Sequence, residues 1–176
     1  MRHKQFLSGL LAAGIMFSAV PLFPARAAEN NWKEAAADIR QSISIHNPTG
    51  SELTDIPVLM RVDASQISSR NAMSFYTDEG TEELPYEVES WDSSGTGTVW
   101  VQVPALEADS DTVIWGYYNG DEAQNSTEAV WNPSYALVEH FGDLEFNTDS
   151  TGKADGEAAG ALSAEAGRIG EAAVFN

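Results

Sequence analysis

The chain has 176 residues, no cysteine, and 27 acidic against nine basic side chains, for a formal net charge of −18. That balance argues strongly against nucleic acid as a partner, because phosphates need a basic face, and it disfavours adsorption to anionic lipid. Without cysteines no disulfide supports the fold, so burial of aromatic and β-branched side chains has to carry it.

The chain opens as a secretory signal peptide. Arg2, His3 and Lys4 are basic, Phe6–Val20 is apolar and uncharged, Pro21 and Pro24 break the run, and Ala25-Arg26-Ala27 supplies the small-x-small pattern before Ala28. The apolar run is shorter than the ~20 residues a spanning helix needs, so cleavage after Ala27 is expected rather than a retained anchor. No cysteine follows it to carry a lipid. The expected mature chain starts at Ala28 and is exported to the periplasm, the cell surface or the medium. It keeps all 27 acidic residues and six basic ones.

A short leader follows, with Trp32 placed to dock onto the domain. Alternation predicts a first strand over Ile39–His46, a turn at 47–51, and a second strand within Leu53–Val62. Asp63–Asn71 is polar and reads as a loop or short helix, and Met73–Tyr76 as a brief strand before a turn at 78–81. Three strands are then predicted, over Leu84–Trp91, Thr98–Val103 and Thr112–Tyr118. Their alternation predicts one antiparallel sheet with a buried face, Val99, Val101 and Val103 inward and Trp100 and Gln102 outward. Ser93–Gly97 reads as the first turn, and Pro104 as the end of the middle strand, since proline has no N–H for a ladder. The expected class is all-β, an antiparallel β-sandwich domain over 28–123. An acidic linker is expected at 124–130. The last part, 131–176, holds an apolar cluster around Tyr135, Leu137 and Phe141. A stretch rich in Gly, Ala and Ser follows, with too little apolar side chain to offset its ordering, so this tail is expected to be loosely docked.

The blocks LTDIPVLMRVDAS, MSFYTDEGTEELPYEVESWD, GTVWVQVPAL and TVIWGYYNGDEA, in this order between Trp32 and Ala123, resemble the bacterial family called domain of unknown function 2341. The family's aromatic and basic start is reduced here to Ala-Asp-Ile-Arg at 37–40. Its tyrosine-rich signature ends in Asn119-Gly120, the family's order exchanged. The tail, with HFGD at 140–143 and DSTG at 149–152, is similar to the opening of a concanavalin A-like, laminin G-type jelly roll, incomplete at Asn176. These resemblances imply a surface or periplasmic protein whose first domain precedes a lectin-like one. In some relatives a TolQ/ExbB/MotA-type proton-channel segment follows.

Glu87, Glu89 and Asp92 are acids set among aromatics. The first two share a strand face and raise the thought of a glycosidase pair, although a solvated face explains them as well. His46 and His140 have no metal-type partner at i+2 or i+4. No nucleophile elbow or phosphate loop is present, and no catalytic residue or cofactor is expected. Asp109, Asp111, Asp121, Asp143, Asp149 and Asp155 lie in loop-like stretches and are candidate ligands for a structural calcium ion, with solubility charge as the plainer account. Trp91, Trp100 and Trp115 are a candidate sugar platform, weighed against core packing. The expected function is an exported, non-enzymatic β module for binding an envelope protein or a glycan. The alternative is a periplasmic sensing or docking front end of a proton-channel-linked complex.

Overall fold

A computed structural model describes residues 32–78, 80, 82–122, 127–141, 148–157, 162–168 and 171–175. Ala25, Ala27 and Ala28, the expected cleavage residues, lie outside these, as does Asp143.

The described residues are all-β. The strands are β1 (Ile39–Asn47), β2 (Leu53–Asp63), β3 (Met73–Thr77), β4 (Glu83–Leu84), β5 (Tyr86–Trp91), β6 (Thr96–Leu106), β7 (Ser110–Tyr118), β8 (Leu162–Ala166) and β9 (Glu171–Phe175). Two 3-10 turns, Ala64–Gln66 and Thr127–Val130, complete the list. Every strand pair is antiparallel. One sheet has the order β1-β7-β3-β4, the second β2-β6-β5, and β8 and β9 form a hairpin.

The two larger sheets share a core, which makes them a sandwich. Val99, Val101 and Val103 point inward from β6, as their alternation predicts, and are fully buried. They belong to one apolar cluster with Met60 and Val62 of β2, and with Met73, Phe75, Ile114 and Tyr118 of the opposite sheet. Phe75 meets Tyr86 edge-on across the sandwich at 5.4 Å between ring centroids. Gly97 has a packing reason: a Cβ there would stand 2.6 Å from the Trp91 ring and 2.9 Å from Val62. Trp32 docks as expected, 6.2 Å from Tyr117.

Two expectations need correction. The strand over Ser110–Tyr118 does not join β5 and β6 in one sheet; it lies between β1 and β3 in the other. The link between β6 and β7 is a corner, not a hairpin. Asn47, fully buried, donates from Nδ2 to the carbonyls of Leu106 and Glu107 at 3.0 Å each, and Asp109 turns in the left-handed region at φ 48°. Both inner faces border the same core, so alternation alone does not say which sheet a strand enters. Nor does Pro104 end its strand, which runs on to Leu106. The Gln102 N–H points toward β5 and bonds Pro85 O at 2.9 Å. Pro104 is the next residue on that side. It lies beyond Tyr86, where β5 begins opposite Val101, so its missing N–H costs no ladder bond.

Candidate functional site

The outer face of the β2-β6-β5 sheet is where the acids gather. Tyr86, Glu87 and Val88 pair in order with Val101, Trp100 and Val99, and the register then slips by one between Val88 and Ser90. Glu89 is the extra residue of this bulge. Such a bulge re-aims a side chain without ending the strand. Trp100, opposite Glu87, donates its indole N–H to Glu89 Oε2 at 2.5 Å.

This face is covered, which corrects the expectation of a solvated one. After the 3-10 turn at Thr127–Val130 the chain lays Trp131 over β5 and β6. Trp131 Nε1 donates to Glu87 Oε2 at 2.6 Å, and Ser150 Oγ donates to Glu87 Oε1 at 2.6 Å. Both oxygens of Glu87 are thus held by donors of the same chain. Trp131 packs 5.4 Å from Trp100 and 5.2 Å from Tyr135.

His140 closes the cluster. Its Nδ1 lies 3.7 Å from Glu89 Oε2, and its Nε2 lies 3.4 Å from Glu87 Oε2. Nε2 is off hydrogen-bond alignment with Glu87, so the link is one of charge. The ring is near-parallel to Trp100 at 6.3 Å and 23°. The side chains of Glu87, Glu89 and His140 are 8%, 10% and 18% exposed. Burial pushes the His140 imidazole down, and Glu87, then Glu89, push it up by more, so its pKa stands above the ordinary histidine value. Two buried carboxylates are costly unless paired and hydrogen-bonded, and the indoles, the hydroxyl and the imidazolium meet that demand.

A second polar knot holds the covering segment to itself. Asp149 Oδ1 accepts from the backbone N–H of Val138 at 2.9 Å and of Thr151 at 3.0 Å. Its Oδ2 accepts from Thr151 Oγ1 at 2.5 Å, Ala154 N at 3.0 Å and Lys153 N at 3.1 Å. Burial pushes the Asp149 carboxyl up, but the donors of Thr151, Val138 and Ala154 hold it well below the usual carboxylate range. Asp149, Ser150 and Thr151 are buried, so the start of the tail is packed where loose docking was expected. Hydrogen bonds do there what apolar side chains could not.

The other candidates are dispersed. Asp92 is a turn residue: Ser94 donates to its Oδ1 through N at 2.9 Å and Oγ at 2.7 Å, which holds this exposed carboxyl below its usual range. His46 pairs with Asp111 at 2.8 Å on the other sheet. Asp109 forms the β6–β7 corner, Asp155 accepts from Asp149 N at 3.2 Å, and Asp121 is exposed. Among the described residues no group of three or more His, Asp or Glu side chains is arranged to hold a metal ion. Trp91 packs against the core, Trp100 lies under Trp131, and Trp115 sits on the outer face of the opposite sheet against Arg40. The three indoles do not make one platform. Trp131 and Ser150, which complete the Glu87 cluster, stood out by no periodicity, and only the DSTG run at 149–152 marked their neighbourhood.

Fold and cluster together define an all-β sandwich with a buried acid–histidine–indole centre on one outer face. Residues 69–154 match the family model described as Domain of unknown function (DUF2341). The match begins later than the expected resemblance, which started at Trp32, and runs through the expected linker at 124–130. It takes in Glu87, Glu89, Trp100, Trp131, His140, Ser150 and the Asp149 knot. No curated protein and no solved structure matches the chain. Among the described residues no helix is long and apolar enough to cross a membrane.

Proposed function

We propose that this chain is an exported, non-catalytic β module that binds at the cell envelope or surface, with glycans as its ligand class. The observation that carries the non-catalytic part is the state of Glu87. A glycosidase carboxylate needs a cleft and an oxygen open to substrate. Both oxygens of Glu87 are instead occupied by Trp131 and Ser150, and the face above is covered by the chain itself. Export rests on the basic start, the short apolar run and Ala25-Arg26-Ala27. The jelly-roll-like reading of 131–176 belongs to the same proposal, as the part that would continue toward a lectin-like partner domain.

The test is expression of the full chain in a bacterial host, recovery of the exported protein, and a glycan array run beside a hydrolysis assay. The expected result is a mature N-terminus at Ala28 by mass spectrometry, binding to at least one glycan class, and intact glycan afterwards. Sugar release that disappears in Glu87→Gln would overturn the non-catalytic reading. Intact Met1 in the membrane fraction would overturn export.

A further inference from the structure

The outer face of the β1-β7-β3-β4 sheet carries a cation with no ion-pair partner among the described residues. Residues directly opposite one another on adjacent strands share a face. Arg40 and Ser74 flank Tyr117, and Ser42 and Tyr76 flank Trp115, so these six side chains lie together. The Arg40 guanidinium stacks over Trp115 at 3.6 Å from the ring centroid and stands 5.6 Å from Tyr117. Trp115 is in turn fixed by donation from its Nε1 to Asp78 Oδ1 at 2.8 Å.

Arg40 Nε is buried with no hydrogen-bond partner, and the guanidinium enters no ion pair among the described residues. Acids outnumber bases three to one in this chain, so a shortage of carboxylates does not explain it. A planar fork held flat on an indole is a preorganised donor for a carboxylate. Net charge restricts what can deliver that group. A chain at −18 repels polyanions, which leaves a ligand with a single isolated anion. Arg40 covers the centre of the Trp115 ring, the part of this half-buried side chain outside the stack is apolar, and Ser42 and Ser44 present exposed hydroxyls along β1. A sugar ring has an apolar face and a rim of hydroxyls that match both.

We propose that this face binds a short saccharide bearing one carboxylate, with Arg40 taking the carboxylate and Trp115 holding Arg40 in place. The inference rests on the reading of the chain as a glycan-binding module, and it moves the sugar platform from three tryptophans to one tryptophan–arginine pair.

The experiment is calorimetric titration of the exported full chain with a uronic-acid-terminated disaccharide, its neutral counterpart and sodium acetate, with Arg40→Lys and Trp115→Phe as variants. The acidic disaccharide is expected to bind, and the neutral one to bind at least roughly tenfold more weakly, the lower end of a charge-assisted hydrogen bond. Arg40→Lys keeps the charge and loses the fork. It is expected to weaken the acidic disaccharide by about tenfold while thermal unfolding stays a single cooperative transition. Acetate binding as tightly as the disaccharide would reduce the site to a simple anion site and overturn the inference. Glycan binding that survives Arg40→Lys unchanged would also overturn it, while leaving the binding-module reading intact. If the unmodified chain binds nothing on the array and nothing in the titration, the proposed function fails and this inference with it.

Discussion

Trp131 Nε1 donates to Glu87 Oε2 at 2.6 Å across 44 residues of sequence. The bond ties the segment after the second 3-10 turn to a central pair of strands, and both partners are buried. Trp131→Phe keeps the ring stack and removes one hydrogen bond to a carboxylate, so it should cost about 1.5–3 kcal/mol in urea unfolding. Ser150→Ala removes the hydrogen bond to the other oxygen of the same carboxylate and should cost a similar amount, about 1.5–3 kcal/mol. Midpoints equal to the unmodified chain in both variants would mean that Glu87 is not the anchor.

Stability should depend on pH through His140. Its native pKa is raised, so its contribution is complete below the ordinary value of about 6.5 and is lost as pH rises through the native value. Tyr86 and Tyr118, pushed up to about 12 by burial, stay neutral across that window. The urea midpoint should fall as pH rises above about 6.5, and His140→Gln should flatten that fall. An identical pH slope in the variant would remove His140 from the account.

Asp149→Asn tests the second knot. The change puts an amide NH₂ where Oδ2 now accepts from Thr151 Oγ1, Lys153 N and Ala154 N, and turning the amide over sets the same group against Val138 N and Thr151 N. Donors then face donors in either orientation. The unfolding midpoint should drop clearly more than for Asp155→Asn, at an exposed residue that accepts one backbone N–H. Equal shifts would contradict the assignment.

Val101→Asp places an unpaired charge at a fully buried site and should cost about 3–5 kcal/mol. Gln102→Asp, on the opposite face, should cost much less. Equal midpoint shifts would show that the faces of β6 are reversed.

Strand positions were legible because they rest on period-2 alternation, and Val99, Val101 and Val103 point where that pattern puts them. The sheet that β7 enters was not, because Ile114 and Tyr118 bury equally well from either side of one core. The state of Glu87 was also hidden. On its own strand it reads as a solvated acid, and what buries it are Trp131 and Ser150, 44 and 63 residues away. Asp149 shows the same limit differently. A carboxylate that gathers backbone N–H groups leaves no hydrophobic pattern behind, so a stretch poor in apolar residues looked weakly held. The bulge at Glu89 depends on pairing with Val99 and Thr98, which local spacing does not display.

Central to all of this is Glu87 as the anchor that makes 127–141 and 148–154 part of the sandwich. Amide hydrogen exchange on the full exported chain tests it most directly. The amides of Trp131, Val138 and Thr151 should exchange slowly in the unmodified protein, approaching those of 98–103. In Glu87→Ala they should speed up together while 98–103 stay protected. Exchange at those three amides as fast as in an open chain, with Glu87 intact, would contradict the account.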